Sequence, residues 1–242
     1  MLACMRLWLL SWLVIFLVII STDPGNAAPP ATNSNGSPAK RVATGPNVWL
    51  EIDGNKRRVQ LDAEVCLREG GLEQLLCRKN TKEHEAILHL DADARDIHTA
   101  LLLAGAKPGS TVRYEPKFEA PSGSAIRIQL QFEEKGRTMS VPAGDWVRNI
   151  KTKKALDLNW VFAGSQFAKN QLDPNGPPLY AANGGDVICV SNFEDAMLDL
   201  PIPSSNDDSE LSFEAFTERI PPVGTPVRVI LEPIPAGNAP GR

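Results

Sequence analysis

One segment after the N-terminal apolar run combines helical periodicity with signals for both ends of a helix, and this limits how helical the fold can be. Asp91 or Asp93 can accept hydrogen bonds from the first free amides of that helix. Gly105 and Pro108 then stop it. Its apolar stripe consists of Ile97, Ala100, Leu101 and Ala104. Because a strand is predicted at residues 87–90, the unit is a strand, a capped helix and a stop.

The rest of the chain alternates short apolar stretches with turn signals, as β-strands do. The alternation predicts four hairpins, which pair residues 48–52 with 58–61, 125–132 with 137–141, 145–148 with 159–162, and 179–182 with 187–190. A final strand is predicted at 227–231. Ser191 and Glu194 fit a capping box that opens a second, short helix before Pro201. We therefore expect an α+β fold, a β-rich single domain of short antiparallel strands with one or two helices.

The first residues have the pattern of a signal peptide, predicted at 1–27. Arg6 precedes an apolar run at 7–20, and small residues follow at 25–27. A helix over that run spans about 21 Å, less than the roughly 30 Å hydrocarbon core of a membrane, so cleavage is favoured over a permanent anchor. The sequence predicts a secreted or periplasmic protein, with an N-terminally membrane-anchored protein as the alternative.

Composition sets the remaining domain boundaries. Residues 28–46 are rich in Pro, Ala, Asn, Ser and Gly and predict a flexible linker. The globular domain is expected at 47–235, followed by a disordered tail at 236–242.

Charge and motif content narrow the classes of partner and cofactor. The formal net charge is −4, so nucleic acid is not an expected partner. The chain has no phosphate-binding loop, dinucleotide fingerprint or nucleophile elbow, and no cofactor is predicted. A membrane is expected to contact the chain only through an uncleaved leader.

All three histidines lie in or next to the strand and helix described first. His84 and His89 resemble part of a zinc-protease motif, but they are five residues apart instead of four, which separates them by about 140° around a helix. We therefore reject a zinc-protease site. His84, with Glu85 beside it, could still meet His98 where the strand packs on the helix. The alternative is two partly buried histidines that are hydrogen-bonded to their neighbours.

Three cysteines follow the leader. Cys66 and Cys77 are a disulfide candidate, since the bond would close a loop of about twelve residues and stabilise by about 3 kcal/mol in the chain-entropy model. Cys189 lies in an apolar strand and is expected to be an inert core thiol, with a reactive thiol or metal ligand as the alternative. No metal site is predicted. The alternative ligand set is His84, His98, Cys66 and Cys77, which lacks diagnostic short spacings.

Four segments in order resemble the YdjY-like domain: KEHEAIL at 82–88, IHTALLLAGAKPG at 97–109, VFAGSQF at 161–167 and NGGDVICVSN at 183–192. The resemblance covers roughly residues 58–232. The YdjY-like domain is found in exported bacterial proteins, and this chain resembles its planctomycete form. It implies no assigned activity. Some relatives carry a ferredoxin-type iron–sulfur segment, which implies a redox setting, but this chain has no Cys-x-x-Cys-x-x-Cys run.

Two functional hypotheses of different classes follow. The first is an exported extracytoplasmic binding or structural module of unknown ligand, whose protein or small-molecule partner docks on the loops around Asn183 and Phe162. The alternative is a redox or metal-handling domain centred on the histidines and cysteines, with a ferredoxin-type redox partner. The candidate functional cluster is His84, Glu85, His98, Cys189 and Asn183. No catalytic residue is assigned, and both enzyme and non-enzyme remain open.

Overall fold

The computed structural model describes residues 39–170, 173, 175–205 and 211–235 of the chain. The described residues belong to one compact unit, which contains one α-helix, α1 (Ala94–Leu103). Its strands are β1 (Lys40–Gly45), β2 (Val48–Asp53), β3 (Lys56–Val65), β4 (Gln74–Arg78), β5 (Ala86–Leu90), β6 (Ala125–Glu134), β7 (Arg137–Pro142), β8 (Val147–Asn149), β9 (Trp160–Phe162), β10 (Phe167–Ala168), β11 (Leu179–Tyr180), β12 (Ile188–Cys189), β13 (Leu198–Asp199), β14 (Phe213–Ala215) and β15 (Pro226–Pro233).

The main sheet closes on itself into a barrel of eight strands. Around the barrel the order is β3, β15, β6, β9, β13, β12, β4 and β5, and β5 returns to pair with β3. The pairs β4–β5 and β12–β13 are parallel, and the other pairs of the barrel are antiparallel. Closure removes the free edges that an open sheet would leave. Strands β1 and β2 extend the sheet outward from β3, and β7 extends it from β6.

The expectation of an α+β fold is wrong. The structure is 11% helical and its main sheet is a closed barrel, so the class is nearly all β. The second helix, predicted to begin at Ser191, does not form. Ser191 lies fully buried with its backbone amide bonded to the carbonyl of Glu73, and Leu198 pairs with Ile188 and Phe162 in the sheet. Long-range strand pairing has overridden a local capping signal there.

Two of the four predicted hairpins are correct. Strands β2 and β3 pair around Gly54, and β6 and β7 pair around Gly136; both glycines have the positive φ that such turns need. The other two predicted hairpins are wrong. Strand β8 pairs with β14, and β9 pairs with β6 and β13. Strand β11 pairs with β10, and β12 pairs with β4 and β13. In both cases the prediction paired two segments that are adjacent along the chain. In the fold, each of these segments pairs with other strands.

The helix agrees with its prediction. Asp93 caps α1 by accepting a hydrogen bond from the Arg95 amide at 2.9 Å, and Gly105 follows the helix with φ of 93°. Ile97 and Leu101 are fully buried and face the core, and α1 contacts β1, β2 and β3. The largest buried side chains include Trp146, Trp160, Phe162, Leu61, Leu72, Ile87 and Ile126.

Several N- and C-terminal predictions fall outside this description. The signal peptide at 1–27, most of the linker and the tail at 236–242 are not among the described residues. At the end of the predicted linker, β1 forms a strand that pairs with β2. Within the described ranges, no helix is both long enough and apolar enough to cross a membrane.

Candidate functional site

A half-buried lysine is surrounded by three carboxylates at one side of the barrel. Lys82 Nζ lies 3.1 Å from Asp186 Oδ1, 3.6 Å from Glu73 Oε2 and 3.7 Å from Glu85 Oε1. The Phe193 ring covers the ammonium, with its centroid 4.3 Å from Nζ. We call these five residues the Lys82 cluster.

The parallel strands β4 and β5 place two of the carboxylates side by side. Gln74 of β4 is in register with Ala86 of β5, so Glu73 and Glu85, which directly precede them, are neighbours. Lys82 belongs to the loop that joins these two strands. Asp186 comes from the loop between β11 and β12, where Gly185 has φ of 127° and a Cβ at that position would lie 2.9 Å from Lys82 Cγ. The glycine therefore lets the second loop pass directly over the lysine.

The charges of the Lys82 cluster do not balance. Burial, and then the charge of Glu85, raise the pKa of the Glu73 carboxyl to about 7. Burial alone would lower the pKa of Lys82, but Asp186, Glu73 and Glu85 outweigh it and raise that pKa. The lysine is therefore an ammonium at neutral pH, and Glu73 holds a proton part of the time.

A second layer of polar side chains lies behind Asp186. Gln74 Nε2 donates to Asp186 Oδ1 at 3.0 Å, and the Cys189 thiol lies 3.9 Å from the same oxygen. Asp199 Oδ1 accepts from Asn192 Nδ2 at 3.0 Å and from the Leu200 amide at 2.7 Å. Burial raises the pKa of Asp199 to about 7, although these hydrogen bonds oppose the shift.

Two acceptors in this layer have no donor. Gln74 Oε1 and Asp199 Oδ2 are buried, and no group within the described part of the chain donates to either oxygen. An unpaired buried acceptor costs about 1–3 kcal/mol, so an arrangement with two of them needs a reason. Together with the excess of carboxylates over ammonium, these oxygens make the region rich in acceptors.

The comparisons with known proteins place the chain in a family. The model of the YdjY domain matches residues 50–232, a span that includes every residue of the Lys82 cluster. The chain belongs to the YdjY domain family. No curated protein and no solved structure matches. The resemblance inferred from the sequence is therefore confirmed at the level of the family.

The YdjY domain brings part of the predicted functional cluster to this site. Glu85 is a member of the Lys82 cluster, and His84 Nε2 lies at its rim, 3.7 Å from Glu85 Oε2 and with 76% of its side chain exposed. Cys189 is fully buried behind Asp186, and burial raises the pKa of its thiol. Its expected place in a buried strand is confirmed.

The other two predicted residues serve a separate network in the YdjY domain. Asn183 Oδ1 accepts from the Ala94 amide at 2.8 Å, and its Nδ2 donates to Asp93 Oδ1 at 3.0 Å, so Asn183 closes the N-terminus of α1. His98 Nδ1 is hydrogen-bonded to the Tyr180 hydroxyl at 2.8 Å, and burial lowers the pKa of this histidine. Its ring meets the Phe162 ring edge-on at 4.8 Å. The interpretation of His98 as a hydrogen-bonded, half-buried histidine fits this geometry.

Cys66 and Cys77 flank β5 as free thiols. The Cys66 thiol lies 3.1 Å from the Ala86 carbonyl oxygen, and Cys77 is fully buried in register with His89. Interaction with Cys77 raises the pKa of Cys66, while interaction with Cys66 lowers the pKa of Cys77. Their disulfide stays a prediction. In the described ranges, no three His, Cys, Asp or Glu side chains are grouped so that they could hold a metal ion. The alternative set of His84, His98, Cys66 and Cys77 is therefore not grouped as a metal site there.

Sequence reasoning missed most of the site. Lys82 and Asp186 lie inside segments that resemble the family, so their presence there was the available signal. Glu73 precedes β4 and Gln74 begins it. This strand is apolar, and nothing in its sequence indicated a site. Asp199 was assigned to the short helix that does not form, which concealed its burial in β13.

Proposed function

We propose that this YdjY domain is an extracytoplasmic binding module whose ligand presents a protonated amine to the Lys82 cluster. The observation that carries the proposal is the excess of acceptors. Three carboxylates surround one ammonium, and two further buried oxygens behind them accept no hydrogen bond from the described chain. A ligand with positive charge and N–H donors would complement the surplus carboxylates, which it can reach at Glu85.

A purely structural role accounts for this arrangement less well. Burying ions is costly even when they are paired, and unpaired excess charge costs more. A fold selected only for stability has no need of a third carboxylate beside the one lysine of this cluster. Titratable groups whose pKa values are strongly shifted by burial are concentrated at functional sites, and two such carboxyls occur here.

The site also reaches the surface. The side chain of Lys82 is 24% exposed and that of Glu85 is 18% exposed, with the exposed His84 at the rim. A ligand can therefore contact Glu85 directly, while Glu73 and Asp186, each 9% exposed, hold the lysine from below. We expect Glu85 to be the carboxylate that a ligand meets first.

The extracytoplasmic setting is part of the proposal and is supported by the leader pattern of the sequence. Arg6 followed by the apolar run at 7–20 and the small residues at 25–27 match an export signal. N-terminal sequencing of the chain recovered from an exporting bacterial host tests this. Cleavage near residue 27 is the expected result.

The binding proposal is tested by isothermal titration calorimetry with simple cations. Methylammonium and putrescine offer N–H donors, whereas tetramethylammonium carries the charge of methylammonium without them. We expect saturable binding of the first two and none of the third. E85Q should weaken putrescine binding about tenfold, the effect of losing one charged hydrogen bond of about 1.5 kcal/mol.

E214Q is the matched control, because Glu214 also accepts from a lysine but lies in a group of two cations. It should leave putrescine affinity unchanged. Equal binding of tetramethylammonium, or no saturable binding of any amine, would contradict the proposal.

The redox or metal-handling alternative stays a prediction. Its proposed ligands are divided between places in the fold: His84 is exposed beside Glu85, His98 is bonded to Tyr180, and the thiols flank β5. No contact among the described residues favours it over the binding module.

A further inference from the structure

Lys82 and Asp186 form the shortest ion pair of the cluster, and their surroundings resemble those of a reactive pair. Nζ and Oδ1 are 3.1 Å apart, and both side chains are largely shielded from water. Lys82 lies in the loop that joins β4 to β5, and Asp186 in the loop that joins β11 to β12. Reacting atoms held about 3–3.5 Å apart can reach effective molarities of 10⁵–10⁸ M, and the contact with Oδ1 holds Nζ beside the Cγ that it would attack.

We propose that Lys82 and Asp186 condense without any other enzyme to form an amide cross-link between Nζ and Cγ. One proton first passes from the ammonium to the carboxylate, which leaves a neutral amine and a neutral acid. The nitrogen lone pair then attacks Cγ and forms the N–C bond. The C–O bond to one carboxyl oxygen breaks, and that oxygen leaves as water with the acid proton and one amine proton. No oxidant, reductant or cofactor is consumed.

Neighbouring side chains supply what this reaction needs. Glu73 lies 3.6 Å from Nζ, and its pKa of about 7 lets it both accept and return a proton near neutrality. Gln74 Nε2 donates to Asp186 Oδ1 at 3.0 Å and can stabilise negative charge on that oxygen when the nitrogen adds to Cγ. The Phe193 ring shields the amine from solvent on another side. Glu73 is the proposed proton carrier and Gln74 the proposed oxyanion donor.

Burial favours the product over the reactants. The ion pair loses hydration in this half-buried site, and a neutral amide removes both charges at once. The reaction also leaves Glu73 and Glu85 without their internal cation, while the net charge of the cluster stays the same. The cross-link would join the loop between β4 and β5 to the loop between β11 and β12, closing a loop of about 100 residues.

A matched ion pair on the same chain lacks these features. Lys153 Nζ lies 3.0 Å from Glu214 Oε1, as close as the proposed pair, but the lysine side chain is 63% exposed. Arg148 Nε also donates to Glu214 Oε1, at 2.9 Å, so the neighbour that could carry a proton at the Lys82 site is here a cation. We expect no cross-link at this pair.

Tandem mass spectrometry of the purified full-length protein tests the proposal. We expect an intact mass lower by one water molecule and, after proteolysis, a branched peptide that joins the fragment with Lys82 to the fragment with Asp186. K82R keeps the positive charge and E73Q keeps the shape of the carboxyl, and both should lose the branched peptide. K153R should retain it.

Recovery of the Lys82 and Asp186 fragments as separate peptides from the wild-type protein would overturn the proposal, whether or not the variants fold. A loss of water that persists in K82R without a branched peptide would also overturn it, since a succinimide elsewhere has the same mass change. The readout is independent of amine binding, so the cross-link and the proposed ligand can fail separately.

Discussion

Two charged clusters of this domain have opposite compositions. At the Lys82 cluster three carboxylates share one lysine, whereas Glu214 lies between two cations, with Arg148 Nε at 2.9 Å and Lys153 Nζ at 3.0 Å. Glu73 is 9% exposed and its pKa is raised; Glu214 is 23% exposed, and the hydrogen bond from Lys153 lowers its pKa. With Glu218, which lies 3.7 Å from Arg148, the outer cluster balances its charge, while the inner one is both more buried and less balanced.

This difference separates charges that a fold tolerates from charges that need another explanation. Exposed ion pairs contribute about 0–1 kcal/mol and arise easily on any surface. A buried group with surplus carboxylates is destabilising unless something else occupies or uses it. The proposed bound amine supplies such a use.

The largest expected effect comes from removing the shared cation. In protein without the proposed cross-link, K82A should lower the free energy of unfolding by about 3 kcal/mol, because three carboxylates then face one another half-buried, although partial solvent access moderates the repulsion. K153A should cost less than about 1 kcal/mol, as expected for an exposed pair. Urea denaturation at pH 7 measures both. Equal losses in the two variants would remove the contrast between the clusters.

The pH dependence of stability should also distinguish the clusters. Glu73 and Asp199 have folded-state pKa values of about 7, above their unfolded values, so the folded protein binds protons more tightly there. Their stabilisation is complete below about pH 4 and is lost as the pH rises to about 7. E73Q should therefore reduce the fall in unfolding free energy over that range.

The contribution of Glu214 to stability should have the opposite dependence on pH. Its folded-state pKa is lowered, so its stabilisation is present above the unfolded pKa and is lost as the pH falls. E214Q should reduce the loss of stability on acidification and leave the neutral range unaffected. Denaturation curves at a series of pH values measure both slopes. A rise in the wild-type contribution of Glu73 between pH 4 and 7 would show that its shift has the wrong direction.

A smaller effect on stability is expected from Asn183, the first residue of the NGGD segment. N183A removes the acceptor of the Ala94 amide and should cost about 1 kcal/mol, as the loss of a helix cap does. Because Asn183 does not contact Lys82, putrescine binding should stay unchanged when corrected for the folded fraction. Calorimetry of N183A beside E85Q checks this. An equal loss of putrescine affinity in N183A and E85Q would contradict the separation of the Asn183 network from the Lys82 cluster.

The sequence predicted the features that depend on neighbouring residues. The cap at Asp93, the apolar stripe of α1, and the turns at Gly54 and Gly136 are all local, and the structure confirms them. Closure of the barrel depends on Val65 meeting Leu88 and on Leu76 meeting Ile188, contacts between distant segments that no local pattern encodes. The fold class was wrong for that reason.

The same limit applies to the site. Gly184 and Gly185 resemble a hairpin turn locally, yet they carry Asp186 over Lys82 while the flanking strands pair elsewhere. Glu73 and Asp199 were overlooked because charged residues are mostly solvated, and only the fold shows that these two are buried. His84 and Glu85 were found because histidine drew attention to a segment of the family motif.

The most direct test of the central claim is to titrate the carboxyl carbon of Glu73 by NMR in protein labelled with ¹³C-glutamate, assigned through E73Q. The account predicts a midpoint near pH 7 that moves downward when putrescine is added, because a bound cation favours the charged carboxylate. A midpoint at the ordinary value for glutamate, unmoved by putrescine, would contradict the claim that the Lys82 cluster is a functional site.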